Sequence, residues 1–195
     1  MPDTTSSEAR ERVLAIAEKL FAERGYAAVT LRDIAEALNI RQASLYYHVP
    51  GGKEALFVEV VERGMARHRH GLETAIAAVG DDLAAALNAA ADWLLSQPPM
   101  DFGRMQQSDM PAISPAAAHR LESVVYDSLL LPVQQLFERL SATGHIRPVR
   151  AGVMAGAFLA MINAIHSIPD RYGAPPKREM ARELIEVLCL GLLPR

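Results

Sequence analysis

The chain has 195 residues, half of them hydrophobic, with a net charge of −3 and a single cysteine. That length suits one or two domains with a sizeable core, and the lone cysteine excludes an internal disulfide framework. The polar, acidic start MPDTTSSEARERV is no signal peptide, and no apolar run is long and charge-free enough to span a bilayer, so a cytoplasmic protein is expected. Alanine-rich apolar stretches without strict alternation favour helices throughout, and the expected fold class is all-α with about nine helices.

Thr5 and Glu8 form a capping box for a first helix running to about Arg24, with Val13, Ala17, Leu20 and Phe21 on its buried face and Gly25 as its stop. Thr30 with Asp33 opens a second, short helix. Ile34, Ala35, Leu38, Ile40 and Leu45 are the expected buried set of a pair of helices, reversed at Asn39, a residue that tolerates the left-handed conformation. Beyond the turn, Arg41, Gln42, Ala43, Ser44, Tyr46, Tyr47 and His48 offer donors and hydroxyls on the outward side, while Leu45 points to the core. The spacing of Ala35, Asn39 and Leu45 matches a helix-turn-helix, whose second helix enters the DNA major groove. Helical hairpins with a small residue and a turn asparagine also occur in ordinary all-α proteins, so the spacing alone leaves both readings open. The acidic net charge argues against nucleic acid, but it is global. From Ala37 to Lys53 there is no Asp or Glu, while Arg41, His48 and Lys53 lie there.

The flanks LFAERGYAAVTLRDIAEAL and LYYHVPGGKEALF carry a resemblance: from about Val13 to Phe57 the chain resembles the DNA-binding domain of the tetracycline-repressor (TetR) family of transcriptional regulators. The resemblance implies a helix-turn-helix domain over 1–52 and a helical ligand-sensing and dimerisation domain over 53–195. Gln42, Arg41, Ser44, Tyr46 and Arg32 are the candidates for base edges. Thr30, Tyr47, His48 and Lys53 are the candidates for phosphates, and Ala43 belongs to the same face. Compared with the usual family spacing, one extra residue lies at Gly51-Gly52, which unsettles the phosphate role of Lys53.

A fourth helix is expected from Lys53 to about Val79. Within it His68 and His70 stand two apart, on nearly opposite sides of a helix, so a metal pair is not expected and both are assigned to a solvated basic face. Asp81 and Asp82 start a fifth helix carrying Trp93, ended by Gln97-Pro98-Pro99. A less regular, methionine-rich element follows, then a long helix from Ser114-Pro115 to about Ala142, interrupted at Pro132. Pro148 opens the next helix, and Lys177 the last. Apolar residues of the middle of the chain, Trp93, Phe102, Met105, Met110, Tyr126, Phe158 and Met161, are candidate ligand contacts. Gln106, His119, Asn163 and His166 are the polar candidates beside them.

The two C-terminal helices are apolar nearly all round, which calls for cover on more than one side. By resemblance they form a four-helix bundle with their copies in a homodimer, with Val153, Ala157, Ala160, Met180, Leu184, Val187, Leu188 and Gly191 at the interface. Catalytic motifs are missing: there is no H-E-x-x-H, no G-x-S-x-G and no phosphate-binding glycine loop. Cys189 sits in the apolar run LCLGLL, a setting for an inert thiol. The expected function is a one-component regulator, a repressor that binds an inverted-repeat operator as a dimer and is released by a small hydrophobic or amphipathic effector, with no cofactor, metal or membrane. An activator, or a protein-controlled regulator with a vestigial pocket, is the alternative.

Overall fold

The structure, a computed structural model, describes residues 4–98, 101–169 and 175–192, with only the backbone described for residues 4–7 and Phe102. It is all-α. Nine helices occur among the described residues: α1 (Thr4–Arg24), α2 (Leu31–Ala37), α3 (Gln42–His48), α4 (Gly52–Ala77), α5 (Leu83–Ser96), an irregular α6 (102–112), a long α7 (115–142), α8 (Ala151–Ser167) and α9 (Lys177–Leu190). The Thr5 side chain, half of the expected first capping box, lies outside the described residues.

Packing divides the chain into two compact units, 1–64 with 100–123, and 65–99 with 124–195. This partition differs from the chain-order boundary at 52/53, because the segment expected to begin the sensor packs with the N-terminal helices. In the first unit, Val13, Leu14, Ala17, Leu20 and Phe21 of α1 share a core with Ile34 and Ala35 of α2, Leu45 of α3, and Leu56, Phe57 and Val60 of α4. Met110, Ile113 and Leu121 complete it. Each large side chain so buried stabilises the unit by about 1.5–3 kcal/mol. Phe57 sits edge-on to Phe21 with ring centroids 5.1 Å apart and is tilted against Tyr26 at 4.9 Å.

In the second unit, Met65, Leu72 and Ile76 of α4 are buried, as are Leu83, Ala86, Leu87, Ala90, Ala91 and Leu94 of α5. Helix α9 packs on α5 and α8, and α8 also packs on the C-terminal half of α7. Buried residues of α8, Ala155, Phe158, Ile162 and Ile165, follow a three-four spacing, the period of one helical face.

Prolines shape α6 and α7. Pro111 and Pro132 lack an N–H, and their rings would strike the carbonyl four residues back. The preceding turn is widened in both cases, so that Met110 donates to the Met105 carbonyl and Leu131 to the Tyr126 carbonyl. The expected interruption at Pro132 is therefore a π turn over Tyr126–Leu130, and the helix runs on to Ala142.

Three expectations need correction. Ile40, placed in the buried set, is 37% exposed, because Asn39 takes the left-handed conformation (φ 55°) and turns the chain outward before Leu45 returns to the core. Helix α8 starts at Ala151, with the Arg150 carbonyl accepting its first bonds, and not at Pro148. His68, assigned to a solvated face, is 8% exposed, whereas His70 is exposed as expected. His68 continues the stripe of Met65, Leu72 and Ile76 at three- and four-residue steps, which is the period of a buried face.

Candidate nucleic-acid interface

The interface is built from α2 and α3. Thr30 and Asp33 satisfy each other's ends: the Thr30 hydroxyl oxygen accepts from the Asp33 N–H at 3.1 Å, and the Asp33 carboxylate accepts from the Thr30 N–H at 2.7 Å. The Thr30 hydroxyl also donates to that carboxylate at 2.6 Å, and this bond, then the one from the Thr30 N–H, holds the Asp33 carboxyl below the usual carboxylate range. Helix α3 is fixed from beneath by Leu45, which is fully buried. Its other side is open. Arg41, Gln42, Ala43 and Ser44 are exposed, Tyr46 is 51% exposed and Tyr47 76%. His48 is half-buried, its ring edge-on to Tyr47. Seven of the expected contact residues thus fall on one short element and its N-terminal flank.

Thr30 and Arg32 are exposed at the start of α2, and Arg32 donates to Glu36 at 2.8 Å. A base or phosphate would have to replace Glu36 as its partner. Lys53 differs from the rest. Its ammonium donates to the Tyr26 carbonyl at 3.0 Å and lies 4.0 Å from the centre of the Tyr26 ring. That geometry ties the start of α4 to the loop after α1. Just before Lys53, Gly52 stands at φ 72°, a conformation glycine takes without strain.

A second set of polar contacts went unrecognised in the sequence. Arg104 donates to the Ala22 carbonyl at 2.7 Å and to the Phe21 and Glu23 carbonyls, placing a cation on the negative end of α1. Buried Asp109 accepts from the Tyr26 N–H at 2.8 Å. Glu54 accepts from the Ser114 N–H and hydroxyl at the start of α7, and these bonds, the hydroxyl first, lower its pKa. Arg120 pairs with Glu62. Together these contacts lock residues 101–121 onto α1 and α4. Nothing local in the sequence marks them, since the partners lie 58 to 83 residues apart.

The expected ligand contacts divide between the units. Met105, Gln106, Met110 and His119 belong to the first, where Met110 is buried, Met105 packs against the same core, and Gln106 and His119 are exposed. Trp93, Tyr126, Phe158, Met161, Asn163 and His166 belong to the second. Phe158 is fully buried, Tyr126 is 44% exposed with its hydroxyl donating to Gln134, and Trp93, Met161, Asn163 and His166 are half-buried. Burial, and then the Lys177 charge, lower the His166 pKa. The Phe102 side chain lies outside the described residues.

At the expected dimer surface, Val153 is 60% exposed, Leu184 44% and Val187 68%, and Ala157, Ala160 and Gly191 are exposed. Met180 and Leu188 are half-buried. Leu190, not foreseen, is 67% exposed. Among the described residues there is no metal-binding cluster of His, Cys, Asp or Glu, and no helix is long and apolar enough to cross a membrane.

Residues 13–60 match the family model for bacterial regulatory proteins of the tetR family. The chain is 43% identical over 54 residues to the HTH-type transcriptional regulator LmrA of Bacillus subtilis, a match covering 28% of this chain and 29% of that protein. It is 43% identical over 89 residues to the HTH-type transcriptional repressor KstR2 of Rhodococcus jostii, covering 45% of this chain and 43% of that one. The matches thus span less than half the length of these relatives. The crystal structure of AibR in complex with isovaleryl coenzyme A and operator DNA superposes with a TM-score of 0.74 at 19% identity, over 91% of this chain and 96% of that chain.

Proposed function

We infer that this chain, a transcriptional regulator of the tetR family, works as a homodimeric repressor that grips an inverted-repeat operator and releases it when a small molecule binds. It is not an enzyme, as its relatives are regulators. One observation carries the operator reading: α3 is anchored by a fully buried Leu45 and turns Gln42, Ser44, Tyr46 and Tyr47 to solvent. Gln pairs bidentately with adenine and Arg with guanine, so Gln42 and Arg41, with Ser44, Tyr46 and Arg32, read bases. Thr30, Ala43, Tyr47 and His48 seat the backbone, and Lys53 holds the loop after α1 beside it.

The bare apolar stripes of α8 and α9 support the dimer. Val153, Ala157 and Ala160 on one helix and Leu184 and Val187 on the other form second faces beside those already buried. A two-fold pair of reading heads demands an inverted-repeat site. Residues 1–52 read DNA and 53–195 sense and dimerise. The protein acts in the cytoplasm, where its operator lies. The neighbour that holds isovaleryl coenzyme A with operator DNA supports a small organic effector here. That effector favours a conformation in which α4 has moved and the reading helices no longer fit successive grooves, and operator DNA weakens its binding by the same factor.

The test is sedimentation of the purified protein with duplex fragments it retains from sheared genomic DNA. The expected complex holds two protomers per site. A monomer that binds the same fragments with undiminished affinity contradicts the reading.

A further inference from the structure

Two buried nitrogens in the second unit have no hydrogen-bonding partner among the described residues: Nδ1 of His68 on α4 and Nε1 of Trp93 on α5. Both belong to the surroundings of Gly71 on α4. His68 stands three residues before Gly71, on the same side of α4. The indole lies so close to Gly71 that a Cβ there would be 2.0 Å from Cε2, the carbon bonded to Nε1. Only glycine leaves room for that ring.

The indole fixes one half of the pair's chemistry. An indole N–H can only donate, and a neutral imidazole can donate from Nδ1 in one tautomer. Burial, and then the charge of Arg67, lower the His68 pKa to about 4, so the ring is neutral at physiological pH. Met65 and Leu72 on the same stripe of α4 and Leu94 on α5 are buried apolar residues. A buried polar group without a partner is costly, and a molecule bringing an acceptor oxygen satisfies the indole N–H and, in the Nδ1–H tautomer, suits His68 as well. An ammonium, which only donates, finds no partner at the indole N–H. A carboxylate would leave water for surroundings that hold His68 uncharged.

Building on the effector reading above, we propose that His68 and Trp93 are the polar contact of the effector site and select an uncharged molecule with a carbonyl-type acceptor on an apolar body.

Trp93 is the only tryptophan, so its indole N–H gives a single cross-peak in 1H–15N spectra of the full chain. The probes are acetophenone, its isosteric hydrocarbon α-methylstyrene, and benzoate. Acetophenone is expected to move the indole proton downfield and saturably, α-methylstyrene to bind without the downfield shift, and benzoate to bind weakest. In His68→Phe the affinity ratio of acetophenone to α-methylstyrene should fall by about tenfold, the scale of one hydrogen bond. His68→Gln, which keeps a donor, should restore it. An indole signal unmoved by acetophenone, or an unchanged ratio in His68→Phe, overturns the proposal. Operator binding without probe separates the two levels: if wild-type protein binds no operator, the regulator reading fails, whereas intact operator binding with an indifferent indole sinks this inference alone.

Discussion

The outward faces of α3 and of the α8–α9 pair pose the same question with opposite chemistry. Each helix buries one face, Leu45 under α3 and Ala155, Phe158, Ile162 and Ile165 under α8. The free side of α3 is polar and aromatic, with Gln42, Ser44, Tyr46 and Tyr47, whereas α8 and α9 expose an apolar stripe, Val153, Leu184, Val187 and Leu190, flanked on α9 by charged residues such as Arg182 and Glu186. A polar face is at ease in water and gains from phosphates and base edges. A contiguous apolar one gains from another apolar surface. The inner face therefore tells how a helix is held, and the outer face tells what it meets.

The largest effects should come from breaking the inner anchors. Leu45→Ala removes the buried support of α3 and should lower stability by about 2–5 kcal/mol, read by thermal or urea unfolding, with operator binding lost. Leu184→Glu leaves the monomer core untouched but places an uncompensated charge in the proposed dimer surface, a cost of about 3–5 kcal/mol if fully buried there. It should sediment as a folded monomer. If Leu184→Glu unfolds the chain instead, the α9 face belongs to a monomeric core and the contrast fails.

A pH series sharpens the contrast between buried and exposed polar groups. The folded His68 pKa is depressed from 6.5 to about 4. Between those values the unfolded chain takes up a proton that the folded chain refuses, so stability should be fully present above pH 6.5 and fall as pH drops toward 4, by at most about 3 kcal/mol. His68→Phe should flatten that part of the profile.

Smaller effects belong to the open faces. Gln42→Ala should leave the fold intact and cost about 1–3 kcal/mol of operator affinity, confined to one base position of each half-site. Ile40→Ser should change stability by no more than about 0.5 kcal/mol, as for other exposed positions. A cost several times larger would restore Ile40 to the core.

Much of this was legible in the residues. The Thr30–Asp33 cap, the reversal at Asn39 and the burial of Leu45 depend on neighbours within a few positions, and they stand as the sequence implied. The long α7 was also legible from Ser114-Pro115 and Pro132. What escaped is non-local. Arg104 caps α1 from more than 80 residues away, and no pattern around Phe102 to Asp109 announces it. The side of the helix that His68 takes is set by Met65, Leu72 and Ile76, and its spacing from His70 carries no information about it. At Ile40 the left-handed turn just before it outweighs apolar character and carries the side chain outward.

The most direct test is selection of DNA from a random-sequence pool by the purified protein, followed by sequencing, for wild type and Gln42→Ala side by side. An inverted repeat is expected for both, with the variant losing preference at one position in each half-site. A wild-type motif without two-fold symmetry, or an identical motif from Gln42→Ala, would contradict the assignment of α3 as the reading face of a dimer.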